Sequence, residues 1–303
     1  MPNNRKRILL GLAAWIAAAH GAAPMTASSL GVTCIEMRRT TADLVVVPVS
    51  IEAGGTSRGP YPFVLDTGSE ATFVDDELAE TLDLEATSRT TILTSSGAIE
   101  SIQSRASLTY GTVQVRDLEM VRDPLIALRA VAPEIRGILG QDVLRRTNWL
   151  LDYRRGIVIQ DPGGLLGEHV RGNRLAVLWL GDRPTVQASF GRATSVRLVL
   201  DSAASGIVLF KLPIGVPTGA SARMKTLGSE TSAPLMAIGA LHVGSIVLPR
   251  PIAAVMPQDI DSDEAGGLLP TSLFDALYFD QTAGSVTVAS GEKVESTKCK
   301  VEK

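Results

Sequence analysis

Apolar residues along this chain fall in short runs separated by glycine-containing turns, the pattern of a β protein. Val45-Val46-Val47-Pro48-Val49-Ser50-Ile51 is rich in β-branched residues and predicts a strand. Ala53-Gly54-Gly55 turns the chain, and Phe63-Val64-Leu65 predicts a second strand that ends at Asp66. Helical spacing is brief. Leu78, Leu82 and Leu84 share a face over 76–84, with Asp75 placed to cap it. Further strands are predicted over 90–94, 100–110 and 112–121.

The second half repeats the plan. Thr185-Val186-Gln187-Ala188-Ser189-Phe190 predicts a strand, Gly191-Arg192-Ala193 a turn, and Val196-Arg197-Leu198-Val199-Leu200 a strand that ends at Asp201. Phe63-Val64-Leu65-Asp66-Thr67-Gly68 thus matches Leu198-Val199-Leu200-Asp201-Ser202-Ala203, and apolar strands follow at Thr72-Phe73-Val74 and Ile207-Val208-Leu209. Gly137-Ile138-Leu139-Gly140 is answered by Gly267-Leu268-Leu269-Pro270. Each half then closes on an aromatic-apolar run ending in Asp, Trp149-Leu150-Leu151-Asp152 and Leu277-Tyr278-Phe279-Asp280. Gly156 and Gly284 stand four residues after those aspartates, which predicts matching hairpins. Four features in one order mark an internal duplication. The Pro- and Gly-rich stretch 161–167 lies between the copies.

Composition narrows the class. The 303 residues are 45% hydrophobic and 20% charged, within the globular range, but only 4% aromatic, so Val, Leu, Ile and Ala must build the core. Arg5-Lys6-Arg7 followed by an apolar stretch over 8–19 reads as a secretory signal, too short to span a bilayer. An uncleaved anchor is the alternative. Without those three basic residues the net charge moves from −3 to −6, and no basic stripe points to nucleic acid. Cys34 and Cys299 are the only cysteines. On residues alone, an exported disulfide and two separate thiols are both open. No metal-spaced Cys/His cluster, G-x-S-x-G or H-E-x-x-H is present, which argues against zinc proteases and serine hydrolases.

An apolar strand, Asp66-Thr67-Gly68-Ser69, a second apolar strand and a later Ile138-Leu139-Gly140 resemble the aspartic proteases, and among them the retropepsin-like lobe. The resemblance covers about 43–160 and 176–290. It implies an all-β fold of two retropepsin-like β-barrel lobes in one chain, with a central cleft. The implied division is a signal peptide over 1–23, an N-terminal lobe over 34–160 and a linker over 161–175. A degenerate C-terminal lobe over 176–290 and a tail over 291–303 follow.

The resemblance also implies roles. Asp66 and Asp201 would be the catalytic pair, and Thr67 and Ser202 would interlock their loops, with Gly68 and Ala203 completing them. Gly140 would let a strand cross close behind the first loop. Ser95-Ser96-Gly97 would form the tip of a flap over the cleft, and a Cys34–Cys299 disulfide would staple the chain ends. The expected activity is an exported endopeptidase, periplasmic or secreted and monomeric, acting on extended polypeptide without metal or other cofactor. No nucleic acid and no stable membrane insertion after signal removal are expected.

Two departures fall in the second copy. Ala203 stands where Gly is expected, and so does Pro270. They motivate an alternative, a catalytically weak or inactive pseudoprotease that binds peptides or inhibits on the same fold. A further reading keeps the first lobe as a homodimerising half-protease. Glu70, after the first motif, reads as a solvated surface carboxylate.

Overall fold

The computed structural model describes residues 31–94, 97–190, 194–210, 215–226, 229–256 and 265–289. The first half runs β1 (Thr33–Glu36), β2 (Arg38–Arg39), β3 (Val45–Ala53), β4 (Thr56–Leu65), β5 (Phe73–Asp75), α1 (Asp76–Thr81), β6 (Ala86–Thr94) and β7 (Gly97–Tyr110). It continues through β8 (Val113–Asp123), α2 (Ile126–Arg129), β9 (Gly137–Leu139), α3 (Gln141–Leu144), β10 (Asn148–Asp152) and β11 (Ile157–Asp161). The second half runs β12 (Asn173–Ala176), β13 (Leu178–Leu180), β14 (Arg183–Phe190), β15 (Thr194–Asp201), β16 (Ile207–Leu209) and β17 (Gly215–Thr226). It ends with β18 (Ser229–Ile238), β19 (Leu241–Val243), β20 (Ile246–Leu248), β21 (Ile252–Val255), β22 (Gly267–Pro270), β23 (Ala276–Asp280) and β24 (Ser285–Ala289).

The fold is mostly β, with one closed six-stranded barrel and two further sheets. The barrel follows the order β3-β4-β9-β5-β8-β7 and closes where Ser50–Glu52 of β3 meet Ser107–Thr109 of β7. Phe63, Val64 and Leu65 are buried because β4 runs parallel to β9 with cover on both faces. The second half copies the strand order: β3-β4-β9-β5-β8-β7-β6 becomes β14-β15-β22-β16-β21-β18-β17, with parallel and antiparallel pairings in the same places. It forms an open sheet rather than the expected second barrel. Gly239-Ala240 interrupt the counterpart of β7, so β14 pairs instead with the separate strand β19. Pro251, which has no N–H for a ladder, splits the counterpart of β8 into β20 and β21.

A six-stranded sheet, β1-β11-β10-β23-β24-β12, joins the halves. The two closing runs recognised in the sequence are neighbours here, Trp149 pairing with Phe279 and Leu151 with Leu277. The Trp149 and Phe279 rings stack with centroids 4.4 Å apart, worth about 0.5–1.5 kcal/mol beyond their burial. Both predicted hairpins form. Asp152 Oδ1 accepts the Arg155 N–H and Asp280 Oδ1 the Ala283 N–H, each at 2.9 Å, and Gly156 and Gly284 take left-handed φ values of 67° and 60°.

Some local expectations change. The helix is shorter than 76–84, and Asp75 does not cap it. Its buried carboxylate is engaged by Arg129 at 3.0 Å and Arg136 at 3.5 Å. At the end of β11, Asp161 accepts the Leu166 N–H and the Tyr278 hydroxyl at 2.8 and 2.7 Å. Among the described residues, no helix is long and apolar enough to cross a membrane. The expected signal over 1–23, the tail over 291–303 and Cys299 lie outside the described residues; Cys34 sits on β1 opposite Ile159.

Candidate active site

Two loops leave the buried ends of β4 and β15 and meet between the halves. Asp66 donates its N–H to the Leu139 carbonyl at 3.0 Å, which fixes the start of the first loop against β9. Beyond that point the loops hold each other. Thr67 Oγ1 donates to the Leu200 carbonyl (2.7 Å) and accepts the Ser202 N–H (3.0 Å). Ser202 Oγ donates to the Leu65 carbonyl (2.6 Å) and accepts the Thr67 N–H (3.0 Å). Thr67 and Ser202 are buried, so water cannot replace these bonds without opening the interface.

Each aspartate also caps its own loop. Asp66 Oδ1 accepts the Gly68 N–H at 2.8 Å, while Asp201 Oδ1 accepts those of Ala203 and Ala204 at 2.8 and 2.9 Å. A Cβ built on Gly68 would lie 2.8 Å from both Cγ and Oδ2 of Asp201, so the Asp201 carboxylate presses directly on the first loop. Asp201 is only 8% exposed and Asp66 is half-buried. Burial first, and then the neighbouring Asp201 charge, push Asp66 well above the usual carboxylate range, against the pull of the Gly68 and Ser69 N–H groups. Burial likewise raises Asp201, opposed by the Ala203 and Ala204 N–H groups and by Arg183. Two carboxylates close enough to feel each other's charge do not both ionise cheaply, so their titrations are coupled.

The two departures in the second copy have local explanations. Gly68 has no room for a Cβ, whereas the Ala203 methyl packs on the apolar cluster of Leu44, Val46, Val64, Ala132 and Ile135. Gly140 is forced by close approach: a Cβ there would stand 2.3 Å from the Ala71 carbonyl oxygen. Its N–H donates to Thr72 Oγ1 at 3.1 Å, and Thr72 in turn bonds Asp142 through Oγ1 (2.6 Å) and N–H (2.8 Å). At the matching places the second half has Pro270, Ile207 and Ser272. Proline has no N–H to satisfy and isoleucine no acceptor to offer, so the polar cluster has been exchanged as a unit.

The sequence reading missed three neighbours, Gln141, Arg183 and Tyr153. Gln141, buried at the start of α3, donates Nε2 to the Thr67 carbonyl at 2.9 Å and braces the first loop from behind. Its place directly after Gly140 was the available signal. Glu70 is exposed as expected, but it is paired with Arg183 of β14 at 3.3 Å. Tyr153 bonds Thr271, the residue after Pro270, through their hydroxyls at 2.6 Å. Of the expected flap tip, Gly97 opens β7, while Ser95 and Ser96 lie outside the described residues. Among the described residues, no group of three or more His, Cys, Asp and Glu has the geometry to hold a metal ion.

Residues 47–143 match the family model described as aspartyl protease, a span that holds Asp66, its loop and Gly140. No curated protein matches the chain.

Proposed function

Because residues 47–143 are an aspartyl protease domain, we propose that the whole chain is an exported aspartic endopeptidase with Asp66 and Asp201 as its catalytic pair. The observation that carries this reading is the reciprocal Thr67–Ser202 interlock, which holds the Asp66 and Asp201 loops against each other. On this reading the open second sheet is a diverged copy of the barrel that keeps its catalytic loop. Both departures that favoured an inactive binder have packing explanations that leave this loop intact.

The reaction uses these two side chains and a water. The ionised carboxylate takes a proton from the water as its oxygen bonds the scissile carbonyl carbon. The protonated carboxyl donates to the carbonyl oxygen, where negative charge grows. The tetrahedral intermediate loses its C–N bond as a proton passes to the leaving amine, and the pair returns to its singly protonated state. The substrate is an extended polypeptide held by main-chain hydrogen bonds between the β6–β7 hairpin and the cleft edges. One chain supplies both aspartates, so the monomer suffices. The basic and apolar N-terminal pattern supports export to the periplasm or exterior. There a Cys34–Cys299 bridge would tie the ends together, seen as a two-hydrogen mass deficit without reductant.

The test is digestion of an unfolded polypeptide by the purified mature chain. Cleavage should occur at acidic to neutral pH and be blocked by a statine-type peptide. Peptide binding with no cleavage at any pH would replace this reading with the binding protein.

A further inference from the structure

Gln141 opens α3 directly behind the first loop and holds that loop at two carbonyls. Its main-chain N–H donates to the Ser69 carbonyl and its side-chain Nε2 to the Thr67 carbonyl, each at 2.9 Å. The residue is 1% exposed, and among the described residues its Oε1 has no hydrogen-bond partner. Burying an unpaired acceptor is unfavourable, and an apolar side chain of the same size would avoid it. What the glutamine supplies here is the N–H. The opposite amide orientation would set Oε1 against the Thr67 oxygen, so the contact itself fixes which end faces the loop.

The Thr67 carbonyl and the Gly68 N–H belong to one trans peptide unit and point to opposite sides of it. On the side away from Gln141, the Gly68 N–H donates to Asp66 Oδ1 at 2.8 Å. Gln141 Nε2, the Thr67–Gly68 peptide and Asp66 Oδ1 therefore form a chain of hydrogen bonds. Bonds in such a chain polarise one another, so a donor on the carbonyl strengthens the N–H at the other end. The second half is built differently. Thr271 follows Pro270 as Gln141 follows Gly140, and its hydroxyl bonds that of Tyr153 at 2.6 Å. There Asp201 Oδ1 is held by the Ala203 and Ala204 N–H groups, at 2.8 and 2.9 Å.

We infer that Gln141 is a positioning residue that acts through the Thr67–Gly68 peptide to orient the Asp66 carboxylate. This rests on the catalytic pair proposed above. Removing the side-chain N–H leaves the main-chain bond to Ser69 and the Thr67–Ser202 interlock in place, so the loop keeps its fold. The Gly68 N–H then loses its polarising partner, and the peptide is free to tilt about its contact with Asp66 Oδ1. A small misplacement of a reacting group lowers the rate of the chemical step before it weakens substrate binding.

The test reads the Gly68 amide by NMR beside kcat and KM for a peptide substrate. Labelling with ¹³C′-threonine and ¹⁵N-glycine selects the Thr67–Gly68 and Thr218–Gly219 peptides. Gln141→Met keeps the length of the side chain and removes its N–H. The Gly68 amide proton should move upfield as its hydrogen bond weakens, and kcat should fall about tenfold or more with KM within about twofold of wild type. Val143→Ala truncates a buried core residue on the same helix. It should lower the thermal melt at least as far, yet leave the Gly68 amide in place and kcat within about twofold of wild type. An unmoved Gly68 amide or a wild-type kcat in folded Gln141→Met would overturn the inference, as would the same changes in Val143→Ala. If Gln141→Met fails to fold, Gln141→Ala, which adds no bulk, decides by the same criteria. An upfield Gly68 amide in a protein that cleaves no peptide would keep this inference and remove the endopeptidase reading; cleavage by wild type with an unmoved amide in the variant would do the reverse.

Discussion

Gly68 and Ala203 occupy matching places in the two loops, yet exchanging a single methyl at each should have opposite consequences. A Cβ on Gly68 would lie 2.8 Å from Asp201 Cγ and Oδ2 and 3.2 Å from Oδ1. To reach ordinary contact at 3.4 Å the carboxylate must retreat by about 0.6 Å. It cannot swing far, because Oδ1 is held by two backbone N–H groups. Gly68 does not occupy the left-handed backbone region, so the clash is the whole effect. Misplacing a reacting group by such a distance costs about 10- to 100-fold, so Gly68→Ala should lower kcat by that factor, about 1.4–2.7 kcal/mol. Ala203→Gly removes a methyl from the Leu44 cluster and adds backbone freedom, costing about 1–2 kcal/mol of stability. Its kcat should stay within about twofold of wild type. The assay is initial-rate cleavage of a peptide substrate, with a thermal melt of each variant to separate folding from catalysis. A folded Gly68→Ala enzyme with wild-type kcat would refute the contact between the Asp201 carboxylate and the first loop.

The interlock should behave as one unit. Ser202→Ala strands the buried Thr67 N–H and Leu65 carbonyl and should cost about 2–4 kcal/mol by denaturant melt. Adding Thr67→Val should cost less than the sum of the single changes, and strict additivity would count against coupling. Gly140→Ala, which drives a methyl to 2.3 Å from a backbone oxygen, should destabilise by about 3 kcal/mol or more, whereas Pro270→Gly should cost only about 1 kcal/mol. Comparable losses at the two positions would contradict the exchange of the polar cluster described above. Asp66→Asn should be more stable than wild type at pH 7. The native carboxyl titrates above its unfolded value, so ionising it weakens the fold as pH rises through that interval. The gain should be on the order of 1–3 kcal/mol at neutral pH and vanish below the ordinary aspartate range near 4. A constant gain at all pH values would point to a cause other than titration.

What the sequence made legible follows from how local each signal is. Asp66-Thr67-Gly68 sits after an apolar strand because a strand covered on both faces must be apolar up to its end, and the polar loop can only follow it. The duplication could be read for the same reason. Trp149–Asp152 and Leu277–Asp280 each encode a strand and a turn by themselves, although nothing in either run says that they pair with each other. Side-chain partners far apart in sequence were not legible from the residues themselves. Glu70 looks like any surface carboxylate until the β13–β14 turn places Arg183 on it. Pro270 reads as damage until Ile207 and Ser272 are seen to have changed with it. Asp75 has the composition of a helix cap, but Arg129 and Arg136 claim its charge. Barrel closure failed in the second half on a two-residue interruption, Gly239-Ala240, that reads as an ordinary turn.

The proposed pair of Asp66 and Asp201 is tested most directly by kcat/KM for Asp66→Asn and Asp201→Asn measured separately across pH. Each variant should lose at least about 10³-fold relative to wild type while remaining folded, because neither carboxyl alone can both take a proton from water and give one to the carbonyl. An Asp201→Asn enzyme that cleaves within about tenfold of wild type would contradict the pair and leave Asp66 to act without the second half.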